Sequence, residues 1–423
     1  MTGFLLKGLL RDRSRSLFPT IVVMTGVMLT VVLYSWIQGA GVDMIRAGAN
    51  FATGHVRIMT RAYAEEANRM PNDLAYIGVA GLLTELRRDY PDLIWQSRTH
   101  FGGLLDVPDS SGETRSQGPV AGFAVDLFSP DSRETQTLNL EHALVRGRLP
   151  AHPGEVVLTD EFARRLGIEP GATATLIGST MDGGMTTANF TVVGTVRFGI
   201  GAMDRGAMIA DIADVQQALD MPDAAGEVLG LFPEGRYNEK RMQAVAADFN
   251  SRHPAGDDFA PVMRTLLDEG GFASSMTLFR MFTAIITFVF VLAMSLVLWN
   301  AGLLGSLRRY GEFGLRLAIG ENKGHVYRSL IAESLLIGVG GAAAGTVLGL
   351  LISFYLQKHG FNATGMMQNA SMMMPDVFRA QVTPGSFVIG FIPGIAATLL
   401  GAAISGLGIY RRDTAKLAKE LES

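Results

Sequence analysis

Cysteine is absent from all 423 residues. That excludes disulfides, thiolate metal sites and a lipid carried on an N-terminal cysteine, and says nothing more about redox compartment. Charge is also scarce. Asp, Glu, Lys and Arg together make up 18%, below the ~25% usual in soluble domains. The familiar catalytic patterns are missing too. No G-x-x-x-x-G-K-[ST] phosphate loop occurs; GENKGH at Gly320 has a lysine without the spacing. The seven histidines show no H-E-x-x-H or paired-ligand spacing, and there is no G-x-S-x-G nucleophile turn. A membrane-bound enzyme is disfavoured on these grounds, and no cofactor site is expected in this chain.

What is present is hydrophobic sequence. Apolar residues make up 48% and mean hydropathy is +0.25, which points to the membrane class. Four uncharged runs stand out: Leu17–Ile37, Met281–Leu307, Leu335–Gln357 and Val382–Gly408. Each exceeds the ~20 residues that a helix needs to cross the hydrocarbon core. Lys7, Arg11, Arg13 and Arg15 precede the first run, as in a secretory signal. The run is longer than the ~7–15 apolar residues of a cleaved signal, so it reads as an uncleaved anchor. Ala47-Gly48-Ala49 would serve the cleaved alternative.

Basic residues cluster before the first run, in 308–333 and after Tyr410. The positive-inside bias then places both termini and the 308–333 loop in the cytoplasm. The expected layout is a cytoplasmic N-terminus (1–16), a first span (17–38), an outer domain (39–279), a second span (280–307), a cytoplasmic helix and loop (308–328), a third span (329–357), an outer loop (358–383), a fourth span (384–409) and a cytoplasmic tail (410–423). The fold class is an α-helical membrane protein with four transmembrane helices plus a large extracytoplasmic α+β domain. That outer domain is acidic, an argument against nucleic acid as partner.

Within the outer domain, alternation and β-branched content predict strands at His55–Met59, Asp92–Ser97, Pro119–Val125, Glu155–Leu158, Ala172–Ile177 and Phe190–Val196. Helices are predicted at Gly78–Asp89, Glu161–Leu166, Ile212–Leu219 and Glu239–Asn250. No regular βαβ alternation appears, so the domain reads as α+β rather than a parallel sheet. Gly199, Gly201 and Asp204 are compatible with a binding loop or, more simply, with a tight connection between strands.

The polar insert RRYGEFGLRLAIGENKGHVYRSLIAESLLIG begins at Arg308 between two apolar runs. Glu312 and Arg316 have i,i+4 spacing; Gly320 and Asn322 offer a helix stop. A solvated loop with basic anchors explains Arg308, Arg309 and Arg328. It leaves Phe313, Leu315, Leu317 and Ile319 unexplained, because apolar side chains on a short helix seek a groove. E-F-G-L-R-L-A-I-G at Glu312–Gly320, followed by A-E-S-L-L-I-G at Ala332–Gly338, resembles the signature of FtsX-like, MacB-type ABC transporter permeases. The outer pattern G-E-V-V-L…A-R-R-L-G-I…G-A-T…F-T-V-V-G resembles that family's extracytoplasmic domain, and the order of one span, a large domain and three spans also matches. Two places depart from the pattern: Glu321-Asn322 after the glycine, and the tail YRRDTAKLAKELES.

The resemblance implies a non-catalytic permease subunit in the bacterial inner membrane. A separate ABC ATPase would bind ATP and Mg, and a second permease subunit, identical or not, would complete the complex. Glu312, Phe313, Gly314, Arg316, Leu317, Ile319 and Gly320 would then couple to the ATPase. In outline the chain is similar to lipoprotein-releasing permeases, so the implied substrate is a lipoprotein or another lipophilic molecule. The alternative is a non-transporting FtsX-like regulator that signals to a periplasmic protein such as a cell-wall hydrolase. Three further features invite a role. Glu333, at the mouth of the third span, is either a functional intramembrane carboxylate or a cap or partner of Arg328. Met366, Met367, Met372, Met373 and Met374 suit a substrate- or lipid-facing lip, or an interfacial helix against the bilayer. Gly341, Gly345 and Gly349 form a small-residue face that serves either a dimer contact or packing within one subunit.

Overall fold

The computed structural model describes residues 13–411 apart from 70, 110, 200, 255, 269, 308–309 and 363–376. In chain order the principal elements are helix α1 (Arg13–Gly48), strands β1 (Val56–Thr60) and β2 (Tyr76–Ile77), and helix α2 (Val79–Asp89). Strands β3 (Ile94–Pro108), β4 (Thr114–Val125), β5 (Leu144–Gly147) and β6 (Glu155–Thr159) follow, then helix α3 (Asp160–Leu166). Next come β7 (Thr173–Ser179), β8 (Met185–Val196), β9 (Ala207–Asp211), α4 (Ile212–Ala218), β10 (Ala224–Ala225), β11 (Glu227–Leu231), α5 (Glu239–Arg252) and β12 (Pro261–Thr265). The C-terminal part holds α6 (Gly270–Leu307), α7 (Tyr310–Ala318), α8 (Lys323–His359) and α9 (Thr398–Arg411). The chain forms two compact units. One comprises Met44–Met276 with Asn362–Val377; the other comprises Met1–Asp43, Thr277–Phe361 and Phe378–Ser423.

Four helical stretches among the described residues are long and apolar enough to cross a membrane: Leu17–Thr53, Gly271–Asn300, Lys323–His359 and Pro384–Leu407. In lipid, apolar helices gain nothing by hiding from water, so they associate through close van der Waals fit. Here the fit is a register of valines against glycines. A Cβ added at Gly341 would sit 2.8 Å from Val23, one at Gly345 2.9 Å from Val27, and one at Gly349 2.8 Å from Val31. Both rows repeat every four residues, so successive turns of α1 and α8 interdigitate along one line. The glycine face is therefore packing within one chain. The last span joins the same line, with Gly390 against Val27 and Val31, and Gly394 against Val27 and Ala342. Pro393 lies in a π-turn, Ile392–Ala397, the widened geometry that accommodates a residue with no N–H to donate. Helix α6 is more peripheral. Only 6% of its most apolar window is buried, against 39% for the third and fourth stretches. It touches the bundle where Met294 and Leu298 meet Gly26 and where Trp299 meets Gly401.

The other unit is built on a mixed sheet. Strands β3, β4, β9, β6, β8 and β7 pair successively, and β7 returns to β3, so the pairings form a ring. The β4–β9 and β6–β8 pairs are parallel and the rest of the ring is antiparallel. From the N-terminal half of β3 a flank runs outward through β11 and β1 to β12. Side chains alternate across the strands, giving two cores. Val156 and Leu158 of β6 join the larger one with Phe162 of α3, Val215 of α4 and Phe249 of α5; Val157 joins a smaller one with Val196 and Ile209. Gly122 lies against Phe101, whose ring leaves no room for a side chain: an added Cβ would be 2.0 Å from Cζ. The predicted strands and helices are all present; the helix ends agree within a few residues, whereas β3 runs on to Pro108, well past the predicted end at Ser97, and β4 and β8 each begin five residues before their predicted starts. Strands β9, β11 and β12 had no clear signal. The first two are buried at every position, so the alternation that marks a half-exposed strand is missing.

His55, just before β1, is wholly buried. Its Nδ1 accepts from the Phe232 amide at 3.0 Å, between the rings of Phe232 and Tyr237. Burial, then the charge of Arg46, lowers its pKa from 6.5 to about 4. The unfolded chain therefore takes this proton first. Stability is full above about pH 6.5 and falls as pH drops toward 4, by on the order of 3 kcal/mol at most. The melting temperature in detergent should thus decline less between pH 7 and 4.5 in a His55→Gln variant than in wild type; equal declines would remove His55 from the account.

The valine–glycine register has its own test. Gly345→Leu forces a side chain into Val27 and the Met24 carbonyl, an overpacking worth about 1–3 kcal/mol, and should lower the melting temperature. Gly340→Leu on the same helix faces open space and should not. Equal effects would contradict the register.

Candidate functional site

Helix α7 occupies the polar insert between two apolar spans. Phe313 and Leu317 are four residues apart and lie on one side. Phe313 is 2% exposed, in a cluster with Val326 and Leu330 of α8 and Ala402 of α9, with Leu317 and Ile331 packed alongside. Leu315 and Ile319, also four apart, are 56% and 79% exposed. The short helix therefore has two apolar stripes, one holding it to its own bundle and one presented outward.

The helix end is fixed by backbone geometry. Gly320 has φ +97°, its amide donates to the Leu317 carbonyl at 3.1 Å, and the Glu321 amide donates to Arg316 at 3.0 Å. This pair of bonds is a Schellman motif, which favours glycine at that position. Asn322 then caps α8, its side chain accepting from the Gly324 amide at 3.0 Å. Glu321 lies 3.7 Å from Arg316 and 3.6 Å from the His325 ring. The cap, the stop and the buried Phe313 together hold Leu315 and Ile319 in a defined orientation.

The structure divides the residues singled out from sequence. Phe313 and Gly314 are buried and Leu317 is partly buried, whereas Arg316, Ile319 and Gly320 are exposed; Glu312 is half-buried. Leu315 was absent from the predicted coupling set, yet it shares the outward stripe with Ile319. The signal was there in the i,i+4 spacing of Leu315 and Ile319, offset by two from Phe313 and Leu317. Glu333 is half-buried on α8. Met366, Met367, Met372, Met373 and Met374 lie outside the described residues. Asp204 accepts from the amides of Phe198 and Gly199 at 2.7 and 3.0 Å, so its carboxylate organises its own turn. A separate cleft of about 450 Å³ in the Met44–Met276 unit is lined by Asn72, Asp73, Phe101, Thr180, Asp182 and Leu219 among others; it contains none of the residues singled out from sequence. No group of three or more metal-ligating side chains occurs among the described residues.

Residues 284–414 match the family model described as the FtsX-like permease C-terminal domain. The matched stretch includes α7. No curated protein matches the sequence. Among solved structures, the periplasmic region of MacB from Actinobacillus actinomycetemcomitans is similar over 52% of this chain and 91% of that one, at 13% identity and a TM-score of 0.35. A likeness that slight decides nothing about this chain.

The two stripes of α7 should respond differently to substitution. Phe313→Ala opens a buried contact, a change that typically costs about 3–5 kcal/mol, and should lower the melting temperature of the detergent-solubilised protein. Leu315→Ala should leave it within about 0.5 kcal/mol of wild type. A Leu315→Ala variant as unstable as Phe313→Ala would mean that the outward stripe is already covered.

Proposed function

We propose that this chain is the membrane subunit of an ABC transporter and that α7 docks into a separate ATPase subunit. The observation carrying this reading is the exposed pair Leu315 and Ile319 on a helix otherwise fastened by Phe313. An apolar stripe with a polar border suits insertion into a groove. Burying each side chain there would contribute about 1.5–3 kcal/mol. In this reading ATP and Mg bind the partner, and this chain is non-catalytic. Two permease subunits operate with two ATPase subunits in a bacterial inner membrane, with both termini and α7 in the cytoplasm and the Met44–Met276 unit outside. ATP binding closes the ATPases, α7 carries the movement into the spans, and the outer unit moves in turn. The substrate is a lipoprotein or another lipophilic molecule drawn from the outer leaflet or periplasm.

The test is affinity purification of tagged full-length protein in mild detergent, wild type against a Leu315→Asp, Ile319→Asp double variant. An ATPase chain should accompany wild type and be lost from the folded variant. Its absence from wild type, or its retention by the variant, would end the docking assignment. If the captured ATPase is stimulated by a cell-wall hydrolase and by no lipophilic substrate, the complex signals across the membrane without transporting.

A further inference from the structure

A deeply buried ion pair of the Met44–Met276 unit joins Arg98 on β3 to Glu134, with side chains 1% and 0% exposed. The guanidinium uses three donors. Nε and Nη2 form a fork on the two oxygens of Glu134, at 2.8 and 2.7 Å. Nη1 donates to the backbone carbonyl of Asn50 at 2.7 Å. Asn50 lies in the single π-turn, Ala49–Thr53, that follows α1 directly. The amides downstream that would otherwise serve this carbonyl are engaged elsewhere: Gly54 donates to Ala49 and His55 to Gly230. Asn50 Nδ2 donates in turn to the Thr137 carbonyl at 3.1 Å, and Phe51 packs against Phe198. One guanidinium therefore ties together the turn after α1, the sheet, and the helical turn Glu134–Thr137.

The return of the chain is fastened beside it. Thr265 of β12 pairs with Val56 of β1, the Leu266 amide donates to the His55 carbonyl, and Phe272 fills the space over Gly48, where a Cβ would come within 2.3 Å. A buried ion pair is a poor route to stability, because well-packed apolar residues of the same volume do as well or better. What a bidentate fork provides is fixed direction.

We propose that Arg98 is a positioning residue that makes the first turns beyond α1 rigid with the sheet, so that displacement of α1 moves the outer unit as a body and is not lost in a hinge at residues 49–55. The role as a transmission joint rests on the transporter reading above; the rigidity of the joint does not.

The test uses the full-length protein in detergent and an Arg98→Met, Glu134→Leu double variant, which keeps the site filled but removes the fork. Hydrogen exchange at 49–55 should rise at least about tenfold, while β6 and β9 keep wild-type protection. Because the chain has no cysteine, adding Asn50→Cys and Thr137→Cys leaves one pair of thiols per chain, and an intramolecular disulfide between them, verified by mass spectrometry, should restore slow exchange. Unchanged exchange at 49–55 would overturn the proposal. So would a uniform loss of protection that the disulfide does not repair, since Arg98 would then be simple core support. In the complex with a captured ATPase, adding ATP should alter exchange in the outer unit of wild type and of the oxidised variant, but not of the reduced one. Persistence of the ATP response in the reduced variant would refute transmission through this joint. If no ATPase is captured the transporter reading fails, while exchange at 49–55 still decides the joint.

Discussion

The membrane unit depends on one close approach, that of α1 to α8. Hydrocarbon supplies no hydrophobic force to hold helices together, so contact must come from backbone surfaces near enough for many weak attractions. Glycines at 341, 345 and 349 remove the side chains that would keep α8 away, and Val23, Val27 and Val31 fill the grooves this leaves. The last span uses the same valines through Gly390 and Gly394. With α1, α8 and α9 so placed, Val326, Leu330 and Ala402 present a pocket, and Phe313 enters it. The glycine face begins about three turns further along the same helix α8 that seats Phe313.

A helix of nine residues is too short to be stable alone in water. Its order comes from Phe313 within the bundle, from the Schellman bonds at Gly320, and from the Asn322 cap that begins α8 one residue after Glu321. These contacts use only one side of the helix. A surface that is both apolar and rigidly held, as the Leu315–Ile319 stripe is, incurs little ordering cost when a partner covers it.

The Met44–Met276 unit has no disulfides and relies on other devices. The ring of six strands leaves no free edge within itself, and the sheet ends only at β12 and the short β5. Its polar interior contacts are directional: Arg98 holds Glu134 and the Asn50 carbonyl, and Arg57 holds Glu227 at 2.9 Å with both side chains nearly buried. A bidentate or charge-assisted contact fixes direction in a way that apolar contacts do not.

Much of this was legible beforehand, because the relevant signals are local. Uncharged runs of sufficient length mark the apolar helices; alternation located strands such as Phe190–Val196; E-F-G-L-R-L-A-I-G resembled the FtsX-like signature, and it lies within the stretch 284–414 that matches the FtsX-like permease C-terminal model. The rest depends on what lies far off in sequence. Strands β9 and β11 are buried at every position only because remote parts of the chain enclose them, so their sequences carry no alternation. The glycine face of α8 looked equally fit for a dimer or for internal packing until Val23, Val27 and Val31 were found opposite it. Which of Phe313 and Leu315 turns inward depends on where Val326 and Ala402 stand. Nothing near Arg98 announces Glu134, 36 residues on, or Asn50, 48 residues back. By itself the sequence determined periodicity, span length and helix stops, which arise from neighbours within a turn or two. Tertiary structure alone decided which faces meet, because a side chain's partner is set by the folding of chain remote from it.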